Sequence, residues 1–99
     1  MSSLQVVVAE EAERDITQSF LWYQQRSPAA AEAFRREVVD AIDRIARAPR
    51  NWRVDDEGNR RLVLHRFPFT IVYEVTRDAV HILAVAHHKK RPGYWLGKQ

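Results

Sequence analysis

The sequence predicts an α+β fold in the order β-α-α-β-β-β: a helical hairpin packed on a small, mainly antiparallel sheet. Two observations predict it. Apolar residues recur every three or four positions from Ala12 to Ile45 and every second position after Arg60, the periods of helix and strand. Between the two helical stretches stands Ser27-Pro28, where serine can cap free backbone N–H groups and proline suits a first helical turn. A chain of 99 residues reads as a single domain over 1–99, with no repeat, linker or low-complexity segment.

Each element follows from local chemistry. Leu4 to Ala9 is short and β-branched, and reads as a strand. Glu10 and Glu11 then favour the positive end of a helix. A first helix over about 10–25 buries the stripe Ala12, Ile16, Phe20 and Tyr23, with Asp15, Gln18 and Gln25 elsewhere on the cylinder. The second helix, 28–48, buries Ala31, Phe34, Val38, Ile42 and Ile45, and Pro49 ends it. Only a turn separates the helices, so they form an antiparallel hairpin.

Arg50 to Asn59 reads as a polar loop carrying Trp52 and Gly58. Beyond it, Leu62 and Leu64 alternate with Val63 and His65, and Phe69, Ile71, Tyr73 and Val75 with Thr70, Val72, Glu74 and Thr76. Phe67-Pro68 bends the chain between these strands, and Arg77-Asp78 turns it into Val80 to His87. That last run is apolar on both faces, with Val80, Ile82, Ala84 and Ala86 on one and Leu83 and Val85 on the other. It should be a central strand with the N-terminal strand beside it. The expected core is Val6, Val8, Ile16, Phe20, Phe34, Val38, Ile42, Ile45, Leu62, Leu64, Ile71, Tyr73, Ile82 and Val85.

Composition narrows the function classes. The chain has no cysteine, which excludes disulfides and thiolate metal sites and fits a reducing, cytoplasmic setting. No apolar run is long enough to span a membrane, and the first residues lack the pattern of a secretory signal. Charge is uneven: residues 1–48 carry 6 Lys/Arg and 8 Asp/Glu (net −2), residues 49–99 carry 10 and 5 (net +5). A basic second half attracts phosphates or an acidic protein, and is equally the mark of an ordinary solvated face.

Two motifs carry a resemblance. Arg61-Leu62-Val63-Leu64-His65-Arg66-Phe67-Pro68-Phe69-Thr70-Ile71-Val72-Tyr73 resembles the second-to-third-strand hairpin of the RelE/ParE toxins. Ile82-Leu83-Ala84-Val85-Ala86-His87, followed by Arg91-Pro92-Gly93-Tyr94-Trp95, is similar to that family's last strand and tail. The early strand, Trp22-Tyr23 late in the first helix, Phe34 and Pro49 extend the likeness over nearly the whole chain. The resemblance implies the toxin of a type II toxin–antitoxin pair, a growth inhibitor tied to plasmid stabilization and silenced by a cognate antitoxin. RelE-like members cut messenger RNA in the ribosome; ParE-like members act on DNA gyrase without catalytic residues of their own. The proline-centred hairpin and Tyr-Trp tail resemble the ParE-like side, so gyrase inhibition is the expected activity and RNA cleavage the alternative. Neither implies a cofactor.

Fold does not settle function, which rests on particular residues. RNA cleavage requires a base, an acid and a cation at one phosphate, and the candidates are His87, Tyr94 and Arg61. Against them, His87 ends a buried strand, where a histidine bonded within the fold is the plainer reading. The stretch Arg53 to Arg66 also lacks the lysines that RelE-like nucleases tend to carry there. Adjacent His87 and His88 point to opposite faces, and His81 and His87, six apart on one face, are too distant to share an ion, so no metal site is expected. For partner binding the candidates are Trp52, Arg60, Arg61, Arg66, Lys89, Lys90, Arg91, Tyr94 and Trp95. Trp52 is the aromatic least easily explained by core packing; Trp22 and Tyr23 read as helix-to-sheet packing.

Overall fold

The structure, a computed structural model, describes residues 4–89. Strand β1 (Gln5–Val8) leads directly into helix α1 (Glu10–Arg26), whose first turn holds Glu10, Glu11 and Glu13. No side chain caps that end, so these carboxylates supply the negative charge that its free N–H groups favour. Ser27 serves both helices. Its N–H donates to Tyr23 O at 2.7 Å, closing α1, and its hydroxyl accepts from Ala30 N at 3.2 Å, opening α2 (Pro28–Arg47). The hairpin therefore turns on one residue, and both helices end within a residue of the expected bounds.

Pro49–Asn51 forms a 3-10 turn, and the chain continues through β2 (Arg60–Val63), β3 (Phe69–Val75) and β4 (Ala79–His87). The sheet order is β1-β4-β3-β2, with β1 parallel to β4 and the rest antiparallel. The last strand is central, as its two apolar faces require. Every residue of the expected core is buried or half-buried, and Phe34, Ile45, Ile71, Tyr73 and Ile82 are sealed from solvent. Tyr73 keeps its hydroxyl bonded, donating to Pro49 O at 2.7 Å, so the core ties the middle of β3 to the end of α2.

Two features go beyond the simple periodic pattern, and the first corrects the expectation for β4. Tyr73 pairs with Ile82 but Val72 with Ala84, which leaves Leu83 as an extra residue, a bulge. Alternation reverses there. Val85 and His87 join Val80 and Ile82 on the hairpin face, while Ala84 and Ala86 move to the face of Val72 and Thr70. His81 and His87 consequently lie on opposite faces, not one. The second point is Asp15, which lies off the apolar stripe as expected and is nevertheless buried. It is 6% exposed, and its Oδ2 accepts the N–H of Val85 at 3.0 Å. The reason is the shortness of β1, whose end contact with β4 runs from Ala9 N–H to Ile82 O. Three residues further on, α1 supplies the acceptor.

Candidate partner-binding surface

The predicted binding residues fall in two regions, and Lys90, Arg91, Tyr94 and Trp95 lie outside the described residues. The first region is the ridge formed by the 3-10 turn, the 52–59 loop and edge strand β2. Its loop is built on Asp55, whose Oδ1 accepts from Glu57 N at 2.8 Å and Asn59 N at 2.9 Å, with Gly58 in left-handed backbone at φ 83°. The bond from Asn59 N, helped by those from Glu57 N and Arg61, holds the Asp55 carboxyl below its ordinary value, against desolvation, which works in the other direction and exceeds either of the smaller contributions.

Two arginines of the ridge, Arg60 and Arg61, are engaged. Arg61 pairs with Asp55 Oδ2, and Arg60 Nη1 donates to the carbonyl of Trp52. The Arg44 guanidinium lies 5.5 Å from the centre of the Trp52 ring, and Trp52 itself is half-buried against the core. Its placement combines packing with a partly open face. Arg66 follows His65 in the β2–β3 turn, where both backbone N–H groups donate to the carboxylate of Glu37 on α2, Arg66 N at 3.2 Å. Arg60 and Arg61 are thus held cations, and pre-ordered arginines lose less freedom on binding.

The second region is the end of β4. His87 stands edge-on to Phe69, ring centres 5.0 Å apart, and its Nδ1 accepts the N–H of Lys89 at 3.0 Å. His88 turns the other way and shares a hydrogen bond with Thr70 Oγ1 at 3.0 Å. The nuclease candidates that can be located do not converge. Arg61 pairs across from Val72, on the face away from the hairpin, whereas His87 pairs across from Phe69, on the hairpin face. Among the described residues no three His, Cys, Asp or Glu side chains gather where they could hold a metal ion.

Trp22 is the residue that sequence reasoning misplaced. It is 51% exposed, edge-on to Tyr23 at 5.1 Å, with the Arg26 guanidinium 3.7 Å from its ring centre. Tyr23, by contrast, packs on Phe34, Phe67 and Phe69. The spacing held the signal: the buried stripe passes through Ile16, Phe20 and Tyr23, and the neighbouring position on a helix points about 100° away.

A family model described as "ParE toxin of type II toxin-antitoxin system, parDE" matches residues 6–92. Toxin ParE2 of Mycobacterium tuberculosis, in strains CDC 1551 / Oshkosh and ATCC 25618 / H37Rv, is 30% identical over 81 residues, covering 81% of this chain and 77% of the relative. A solved structure described as a chromosomal ParDE TA system from P. aeruginosa superposes with a TM-score of 0.76 at 18% identity, covering 86% of this chain and 96% of that one. That likeness is one of fold, and it reproduces the two helices on a four-stranded sheet. The chain belongs to the ParE toxin family of type II toxin–antitoxin systems.

Proposed function

We propose that this toxin acts in the cytoplasm as an inhibitor of DNA gyrase and is neutralised by a cognate antitoxin encoded beside it. Family membership supports the antitoxin, since the matching family is that of toxins of type II toxin–antitoxin systems. The observation that carries the choice of target is the separation of Arg61 from His87 by the thickness of the sheet. Cleaving RNA needs proton-transfer groups and a cation within hydrogen-bond reach of one phosphate, and Arg61 and His87 point away from each other. An inhibitor that works by binding needs only a rigid surface with a few anchors.

The test is induction of the gene alone and together with its short upstream neighbour, followed by primer-extension mapping of transcripts. The expected result is growth arrest with intact messages, relieved by the upstream product. New cleavage sites in translated messages, lost in His87→Ala or Arg61→Ala protein that still folds, would give the case to an RNA endonuclease.

A further inference from the structure

His87 is half-buried at the end of β4, and its hydrogen bond falls on one particular ring atom. Nδ1 accepts the backbone N–H of Lys89, two residues on, at 3.0 Å. Asn and Asp side chains close turns over the same two-residue interval. A ring nitrogen accepts only while it carries no proton, so the bond requires a neutral imidazole with its hydrogen on Nε2. A backbone amide is always a donor, so the direction of this bond is not open to reversal.

The ring is fixed by its neighbours. It stands edge-on to Phe69, ring centres 5.0 Å apart, among Ser19, Trp22 and Tyr23 of α1 and Pro68 of the β2–β3 turn. His88 faces the other way: its ring meets Thr70 Oγ1 at 3.0 Å, and its backbone N–H donates to Pro68 O at 2.9 Å. Past β4, then, His88 is held by backbone and Lys89 by the His87 ring. The titratable groups on the elements packed around that ring include Asp15, Tyr23 and Arg26 of α1, His65 and Arg66 of the turn, and His88 and Lys89 beside it. Two carboxylates reach these elements, and each accepts backbone N–H groups: Asp15 that of Val85, Glu37 those of His65 and Arg66. Arg26 lies over the Trp22 ring.

We infer that His87 is a pH-sensitive latch on the chain's exit from β4: neutral, its Nδ1 holds the N–H of Lys89, and protonation of Nδ1 lets Lys89 go. Imidazolium donates from both nitrogens and has no lone pair left for an amide. The latch is therefore closed above the pH at which this ring takes its proton and open below it. The residues nominated for partner binding from Lys89 onward begin at this bond. The same bond uses the lone pair that a general base would need, so His87 is a positioning residue in the resting toxin. The inference does not depend on which partner the toxin engages.

The test follows whole, isotope-labelled toxin by NMR from about pH 8 to about pH 5, spanning the ordinary imidazole value of about 6.5. It reads the protonation of the His87 ring nitrogens and the solvent exchange of the Lys89 amide. His87→Asn places an oxygen where Nδ1 stands and has nothing to titrate. His87→Phe keeps a ring against Phe69 and removes the acceptor. Circular dichroism establishes that each variant folds. At the neutral end the wild-type ring should carry its proton on Nε2 alone. There the Lys89 amide should exchange about fivefold slower in wild type and His87→Asn than in His87→Phe. On acidification the wild type should lose this protection with the midpoint of its own His87 ring, while His87→Asn keeps it. If His87→Phe does not fold, the ratio of wild type to His87→Asn carries the test, rising from about one to about fivefold in acid. A proton on Nδ1 at neutral pH overturns the latch. So does equal exchange in wild type and His87→Asn throughout, or a loss of protection whose midpoint differs from that of the ring.

Discussion

The Asp15 carboxylate accepts the backbone N–H of Val85 across 70 positions of sequence, at 3.0 Å, in a site closed to solvent. It takes up a backbone donor of β4 beyond the reach of β1, and so fastens α1 to the sheet. Removing the acceptor leaves a buried N–H unsatisfied, which costs about 1–3 kcal/mol. Asp15→Ala should lower stability by that amount in urea unfolding, and Asp15→Asn, which keeps an oxygen in place, should lose less. Equal losses in the two variants would mean that something other than the hydrogen bond is being measured.

The turn between β2 and β3 depends on a second carboxylate, Glu37 of α2, which receives the N–H groups of His65 and Arg66. Phe67 follows at once and packs on Tyr23 and Phe34, ring centres 5.1 and 5.6 Å away. Glu37→Ala should therefore speed amide hydrogen exchange at His65 and Arg66 by tenfold or more, while amides in the middle of β3 stay protected. Uniform acceleration over the whole sheet would show that the substitution destabilises the fold globally rather than freeing the turn.

Acid should open the 52–59 loop before it unfolds the sheet. The Asp55 carboxyl is held below its ordinary value of 3.8, chiefly by the hydrogen bond from Asn59 N–H. A carboxyl whose folded pKa is depressed adds stability above its unfolded pKa, and that contribution is lost as pH falls through the folded value. The loop should thus be insensitive to pH from neutrality down to about 4 and loosen only below it. Chemical shifts of the Glu57 and Asn59 amides followed through an acid titration report this directly. The same titration on Asp55→Asn should show no such step, and a transition well above pH 4 would contradict the assignment.

Much of this architecture was legible because the helices announce themselves locally. Ser27-Pro28 marks one helix start, Pro49 one helix end, and the spacing of Phe34, Val38, Ile42 and Ile45 sets the buried face. The hairpin strands were legible for the same reason, since Leu62, Leu64, Phe69, Ile71 and Tyr73 alternate cleanly. What could not be read depended on register between distant segments. Asp15 is an acid one turn into a helix, and only the point at which β1 stops relative to β4 makes its burial favourable. The bulge at Leu83 falls in a run that is apolar at nearly every position, so no alternation exists to show where it breaks. Trp22 was a different failure: its helical position pointed outward, but its apolar character suggested packing. The basic second half was legible as composition, yet only the fold shows Arg60 and Arg61 committed to the loop beside them.

The proposed inhibition of gyrase is read with purified gyrase, relaxed plasmid, ATP and increasing amounts of toxin, with the products denatured and deproteinised before electrophoresis. Supercoiling should be lost and linear DNA should accumulate from stalled cleavage complexes, both reversed by prior addition of the upstream gene product. Full supercoiling at a large molar excess of folded toxin, with no linear product, would contradict it.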